Sequence, residues 1–378
     1  MFPPGVGGSE MYAYELANAL GERGHDVDVY TQATDHGGRS VPLGENVTVE
    51  TVCRARNYLV TFETLYYSLK TRRRVDFEGY DVIHGTLMPA STIALTPRFG
   101  FDTPIVVTSH GTSLGETLSH TPEIPTDYLL RYFFHPMNIV MDSIAGRTAD
   151  HVIAISTITR DQLANTYRFD AETLSLIPHG VDTDRFYPRD ESHPAVSPEK
   201  TSVLFVGRLA SRKGVSRAIE SMATLRDEDI ELLIAGTGRH EKRLKQLAQD
   251  YGVAENVTFL GFVLDDELPV VYSAADIFVF PSRYEGFGLV FLEAMACGTP
   301  VVGTPVGGIP DIVEDSRTGF VVDQSVEDIS ETLRRCHENP TLLEEMSENA
   351  AVKAKTMDWG HVAEQVEAVY ERVQEKEI

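Results

Sequence analysis

Between Asp276 and Gly298 the chain runs through an apolar stretch, Ile277-Phe278-Val279-Phe280, then a proline and a glycine-punctuated turn from Pro281 to Gly288. A helical pattern follows from Leu289 to Ala296 and stops at Gly298. This reads as strand, loop, helix. Glu285 lies in the loop and Glu293 on the helix eight positions later, so both carboxylates can point into one cleft above the strand ends. Open parallel sheets bind ligands at that edge.

The same alternation extends along the chain. Ahead of residue 180 it predicts strands over 25–31, 47–53, 80–84, 104–109, 150–156 and 174–178, with helices over 11–23, 58–74 and 128–147. A connector rich in proline, charge and serine occupies 180–200. Beyond it, strands are predicted over 202–206, 230–235, 257–260, 276–280, 300–302 and 319–322. Helices are predicted over 215–225, 239–251, 268–274, 289–296, 326–338, 340–357 and 362–374. Strands alternating with helices argue for an α/β fold of doubly wound parallel sheets, and 378 residues suit two domains. The division reads as residues 1–179 for a first Rossmann-like domain, 180–200 for the connector and 201–358 for a second domain. Residues 359–378 form a last helix expected to cross back onto the first domain. Phe2-Pro3-Pro4-Gly5-Val6-Gly7-Gly8 reads as a glycine-rich loop feeding a helix, so a strand is expected ahead of it, outside the chain as written.

Charge narrows the partners. Against 33 basic residues, only eight of them lysines, stand 57 acids, for a formal net charge of -24. Such a surface repels nucleic-acid phosphates, and it suits a salt-rich cytoplasm where screening removes the self-repulsion. Cys53, Cys297 and Cys336 have no ligand spacing, so neither a disulfide framework nor a zinc site is expected. The chain shows no signal-peptide pattern and no apolar run long enough to span a membrane, which makes a cytoplasmic location the expectation. The basic end of the second helix, Lys70-Thr71-Arg72-Arg73-Arg74, reads either as a contact for an anionic membrane face or as cations favoured by a helix C-terminus. The second reading is preferred.

One turn carries phosphate-binding character. The strand over 202–206 leads into Gly207-Arg208-Leu209-Ala210-Ser211-Arg212-Lys213-Gly214 and a helix, so Arg208 and Lys213 stand beside a helix N-terminus. There they can make charge-assisted hydrogen bonds to a diphosphate. Ala235-Gly236-Thr237-Gly238 is a second tight strand-to-helix turn. The triplets Asp26-Val27-Asp28 and Asp182-Thr183-Asp184 have a form that can hold a divalent cation. The first falls inside a strand, and no metal is expected.

Taken in order, Gly207-Arg208-Leu209 with Lys213-Gly214, Ala235-Gly236-x-Gly238, Gly261-Phe262-Val263, and Glu285-Gly286-Phe287-Gly288 with Glu293 resemble glycosyltransferase family 4, retaining sugar transferases of GT-B fold. Gly7-Gly8, Ser109-His110-Gly111 and Ile177-Pro178-His179-Gly180-Val181-Asp182 extend the resemblance over nearly the whole chain. It implies a nucleotide-diphosphate-sugar donor, an acceptor that is a glycan, glycolipid or lipid-linked saccharide, and no cofactor. It implies that Arg208 and Lys213 neutralise the leaving diphosphate, that Glu285 lies near the donor sugar and that Glu293 accepts from the ribose hydroxyls. Backbone at Gly286, Phe287, Gly288 and Leu289 would contact sugar and phosphate. Gly236 would stand in the donor site, and Gly261, Phe262 and Val263 near the base. Gly7 and Gly8 would close over the diphosphate and His110 would hydrogen-bond the sugar. Read without the family, His110 is equally a core histidine and Glu285 a surface charge. A sugar-nucleotide epimerase and a non-catalytic sugar-nucleotide-binding protein share the architecture. Asp182-Thr183-Asp184 with Arg185-Phe186 matches an inter-domain signature of the family, which supports the expectation of no metal.

Overall fold

A computed structural model describes residues 7–33, 42–54, 60–86, 102–119 and 135–375. The chain divides into two compact units, Met1–His179 with Trp359–Ile378, and Gly180–Asp358.

In the first unit, helix α1 (Gly8–Glu22) precedes strands β1 (Val27–Ala33) and β2 (Val47–Arg54) and helix α2 (Val60–Arg72). Then come β3 (Ile83–Gly85), β4 (Ile105–Ser109), α3 (Ser113–Ser119), α4 (His135–Thr148), β5 (His151–Ala154), α5 (Thr157–Asn165) and β6 (Leu174–Leu176). The part of the expected 128–147 helix before residue 135 lies outside the described residues. Helix α5 was not anticipated from the sequence. Its start is set by Ser156, whose hydroxyl accepts from the Thr159 N–H at 3.2 Å and satisfies a donor the helix leaves open. The described strands form two parallel sheets rather than one, β1-β2 and β3-β4-β5-β6, and no described strand pairs with both. Side chains link them instead, with the Tyr30 and Tyr80 hydroxyls 2.7 Å apart. The core under the larger sheet joins Ile105, Val107, Val152, Ala154, Leu163 and Tyr167.

The second unit is one parallel six-stranded sheet. In chain order it contains β7 (Thr201–Val206), α6 (Val215–Thr224), β8 (Ile230–Ala235), α7 (Glu241–Asp250), β9 (Val257–Gly261), α8 (Leu268–Ser273), β10 (Ile277–Phe280), α9 (Leu289–Ala296), β11 (Val301–Gly303), α10 (Ile309–Ile312), β12 (Gly319–Val321), α11 (Val326–His337) and α12 (Pro340–Lys355). The strand order is β12-β11-β10-β7-β8-β9. Every residue of β10 is buried, and α9 locks onto it through Phe291, which meets Phe278 edge-on at 5.3 Å and Phe280 at 5.8 Å. Residues 180–200 are bound into this unit. Ser197 donates through its N–H and hydroxyl to the Glu231 carboxylate at 2.7 and 2.8 Å, and Val181 bridges to Asp358.

The last helix, α13 (Trp359–Glu375), starts three residues earlier than the sequence pattern suggested and groups with the first unit. Trp359 is buried, so the helix gains a core contact at its first residue.

Candidate active site

In the second unit the strand order reverses between β7 and β10. At such a switch point the loops leaving the carboxyl ends diverge and open a crevice. The β7 loop carries Arg208 and Lys213, and the β10 loop carries Glu285 to Gly288. The two loops are stitched together. The Arg283 N–H donates to the Arg212 carbonyl at 2.8 Å, and the Arg212 guanidinium donates to the Tyr284 carbonyl at 3.4 Å. Gly214 makes this approach feasible: its φ is +75°, and a Cβ there would collide with the carbonyl oxygen of Pro281.

Stitching the loops brings Lys213 Nζ onto Glu285 Oε1 as an ion pair whose side chains are only 14% and 10% exposed. Nζ also lies 5.2 Å from the centroid of the Phe280 ring, a favourable cation–π position. Burial pushes the Lys213 ammonium below its usual range; Glu285 opposes this, and Arg212 and Arg208 add to it. Arg208 itself is exposed. A buried pair of this kind makes each charge depend on the other, since removing one leaves the second uncompensated.

Glu293 is held separately. It projects from α9, and its Oε2 accepts from the hydroxyl of Tyr272 on α8 at 2.8 Å. Tyr272 is fully buried. Burial pushes the Glu293 carboxyl up, while the Tyr272 hydrogen bond and Arg185 hold it down and Asp265 adds to the rise. The helix that carries Glu293 begins at Gly288, whose φ of +105° a residue with a side chain would rarely adopt. Phe287 before it is buried, and Gly286 and Leu289 are half-buried. The other two turns are tied together by the Gly236 N–H donating to the Gly261 carbonyl at 2.6 Å. Phe262 is 59% exposed there and Val263 half-buried.

The first unit holds the remaining sequence-derived positions. Gly7 caps α1 in extended backbone and Gly8 begins the helix, both exposed. A Cβ on Gly7 would meet only the flexible Glu10 carboxylate, so nothing within the unit requires glycine there. His110 follows β4. Its Nδ1 lies 3.1 Å from His179 Nε2, and its Nε2 is buried with no hydrogen-bond partner of good geometry among the described residues. Burial pushes His110 down to about 3; the Thr86 backbone opposes this slightly and His84 reinforces it.

Around these lie residues that sequence reasoning passed over. Tyr370 on α13 hydrogen-bonds His84 Nδ1 at 2.6 Å, and His84 Nε2 meets the Thr108 hydroxyl at 2.7 Å. The Thr108 hydroxyl meets that of Tyr12 at 3.0 Å. The available signal was positional: His84 and His110 both lie at or just past the carboxyl ends of neighbouring parallel strands. Tyr272 left no such mark, since it reads as one more apolar position of α8.

Both Asp-x-Asp triplets are used locally. Asp28 accepts from the hydroxyls of Thr48 and Tyr80, and Asp182 Oδ1 accepts from the N–H groups of Asp184 and Arg185 at 3.1 Å each. Among the described residues no three His, Cys, Asp or Glu side chains converge as metal ligands. Cys297 and Cys336 are buried thiols and Cys53 is half-buried.

A pair of parallel α/β units, one carrying cations and carboxylates at its switch point, defines the class as a GT-B glycosyltransferase. Residues 188–353 match the family model for glycosyl transferases group 1, and residues 6–185 match that for glycosyltransferase family 4. A D-inositol 3-phosphate glycosyltransferase from Actinosynnema mirum is 30% identical over 97% of this chain and 92% of its own length. A GDP-mannose-dependent alpha-(1-6)-phosphatidylinositol monomannoside mannosyltransferase from Mycobacterium tuberculosis is 29% identical over 88% of this chain and 86% of its own. The solved sucrose-phosphate synthase from Thermosynechococcus elongatus superposes with a TM-score of 0.84 at 26% identity, over 97% of this chain and 94% of that one. The chain belongs to glycosyltransferase family 4 and is a glycosyltransferase.

Proposed function

We propose that the protein transfers a hexose, with retention of anomeric configuration, from a nucleotide-diphosphate sugar to a hydroxyl of a glycan, glycolipid or lipid-linked acceptor. The observation that carries this reading is the buried Lys213–Glu285 pair beside Arg208 at the switch point. A diphosphate entering there takes over the Lys213 ammonium, and Arg208 and Lys213 stabilise the charge that grows on the leaving phosphate. Glu285 stays beside the donor sugar, and Glu293, oriented by Tyr272, receives the ribose hydroxyls with its remaining lone pairs. His110 Nε2 hydrogen-bonds a sugar hydroxyl. No carboxylate is assigned as a nucleophile. Attack from the front face, through an oxocarbenium-like state with the leaving phosphate taking the acceptor proton, accounts for retention.

The acceptor classes follow the relatives, whose names include an inositol phosphate and a phosphatidylinositol mannoside. Peripheral contact with the cytoplasmic membrane face is part of the proposal. At the end of α2, Leu69 is 47% exposed beside Lys70 and Arg72, although Arg74 is occupied, donating to the Thr51 and Val52 carbonyls at 3.1 and 2.9 Å. No described helix is long and apolar enough to cross a membrane.

Incubation with a panel of UDP-, GDP- and ADP-sugars should give saturable binding of one class and slow hydrolysis of it. An α-linked product from an α-linked donor supports retention, and a β-linked product refutes it. Activity should persist in EDTA, because no metal is assigned a role. Co-sedimentation with anionic but not neutral vesicles tests the membrane contact.

A further inference from the structure

A half-buried imidazole, His110, meets a buried one, His179, in the first unit. His110 Nδ1 and His179 Nε2 are 3.1 Å apart, with ring centroids separated by 5.1 Å and planes at 65°. Contact at this length is a hydrogen bond containing one proton, so one ring donates and the other accepts. Burial keeps both rings neutral, pushing His110 to about 3 and His179 well below its ordinary value. A neutral imidazole has a single N–H. The direction of the shared bond therefore decides what His110 offers at Nε2. When His179 donates, His110 carries its proton on Nε2 and presents a donor; when His110 donates, Nε2 presents a lone pair.

The rings are also packed against aromatic neighbours. Tyr12, with none of its surface exposed, packs against both, its ring centroid 4.7 Å from His110 and 4.8 Å from His179. Trp359 lies 6.1 Å from His179 and 5.7 Å from Tyr12. Tyr12 is in turn linked through Thr108 and His84 to Tyr370 on α13. Among these neighbours, His110 Nε2 has no hydrogen-bond partner of good geometry among the described residues, with the Thr86 backbone the polar group nearest in influence on the ring.

We propose that His179 is a positioning residue. It holds His110 in one tautomer and one ring orientation, so that Nε2 meets a sugar hydroxyl with a defined hydrogen-bond polarity. This rests on the reading of His110 as a sugar contact. Its structural half can be tested without any substrate.

The test combines long-range proton–nitrogen spectra of histidine-labelled protein with steady-state kinetics of His179→Phe, His179→Gln, His110→Ala and the double variant His110→Ala/His179→Phe. In the wild type His110 should appear as one neutral tautomer. His179→Phe, which fills the space but cannot hydrogen-bond, should give His110 as a mixture of both. It should lower kcat severalfold, well short of the loss in His110→Ala because part of the population keeps the productive tautomer, while leaving the donor KM within about twofold. His179→Gln, able to donate or accept, should restore a single tautomer and most of kcat. The double variant should be no slower than His110→Ala alone, because the two residues act as a unit. An unchanged His110 tautomer in His179→Phe, or additive losses in the double variant, overturns the proposal. Should His179→Phe fail to fold, the spectrum of His179→Gln decides: a mixed tautomer there also overturns it. Absence of turnover with every sugar nucleotide would refute the functional reading and leave the spectra to judge the tautomer.

Discussion

The two units prepare polar groups in opposite ways. In the second, the groups assigned to the donor are ionic and already compensated: Lys213 sits on Glu285, and Tyr272 donates to Glu293. In the first, the groups around His110 are neutral and connected by short hydrogen bonds among imidazoles and hydroxyls. A charged ligand can take the place of Glu285 on Lys213 and keep the ammonium compensated, while the displaced carboxylate needs the sugar hydroxyls as new partners. A hydroxyl brings no charge, and a neutral site meets it without a buried ion to neutralise. The division of labour in the proposed reaction is thus written in the electrostatics of each unit separately.

The sharpest way to break this comparison is Lys213→Ala. It removes the cation proposed for the diphosphate and leaves Glu285 without its partner, so kcat/KM should fall by about a thousandfold, the size of loss expected for a group that meets charge developing in the transition state. Initial rates of donor consumption measure it. His110→Ala should cost about a hundredfold in kcat with the donor KM little changed, as the neutral site acts on a hydroxyl rather than on the diphosphate. A loss confined to KM would move His110 out of the reacting region. Tyr272→Phe removes one neutral donor from a buried carboxylate and should raise the donor KM about tenfold while kcat changes less. Isothermal titration with the preferred sugar nucleotide separates the two.

The neutral site also predicts a pH response. Burial lowers His84 to about 4 and His110 to about 3, both below the value of about 6.5 in an unfolded chain. Between those limits the unfolded state binds protons the folded state refuses, so stability is retained above about pH 6.5 and lost as pH falls towards 4. Unfolding temperature measured across that window should drop, and His84→Gln should flatten the drop. The smallest effect is expected at the surface. Glu367→Gln breaks the contacts of α13 with Arg23 and His25 at solvent-exposed positions and should leave activity and unfolding temperature unchanged within error.

The donor half was legible in detail because its signals are local. Apolar runs such as Ile277 to Phe280 end at Gly and Pro turns, and α9 was bounded at Leu289 and Ala296 by helical spacing and Gly298 alone. Arg208, Lys213, Glu285 and Glu293 were likewise visible as residue types at turns. What spacing could not reveal was who would pair with whom. Lys213 is 72 residues from Glu285, and Tyr272 is 21 from Glu293 with a strand and a loop between. The first unit was harder. Its sheet is divided among the described strands, α5 went unnoticed, and the residues around His110 come from 12, 84, 108, 179, 359 and 370.

Sequence by itself determined the parallel α/β architecture, the two-unit organisation it suggested and the residue types at the phosphate turn, since strand burial, helix period and turn chemistry are properties of neighbours along the chain. Only tertiary structure decided the ionic pairing of Lys213 with Glu285, the Tyr272 hold on Glu293 and the facing of His110 by His179. Those depend on how far a group is withdrawn from water and on which distant group shares its pocket. Desolvation and hydrogen-bond partnership are set by packing, and packing joins residues that the sequence keeps apart.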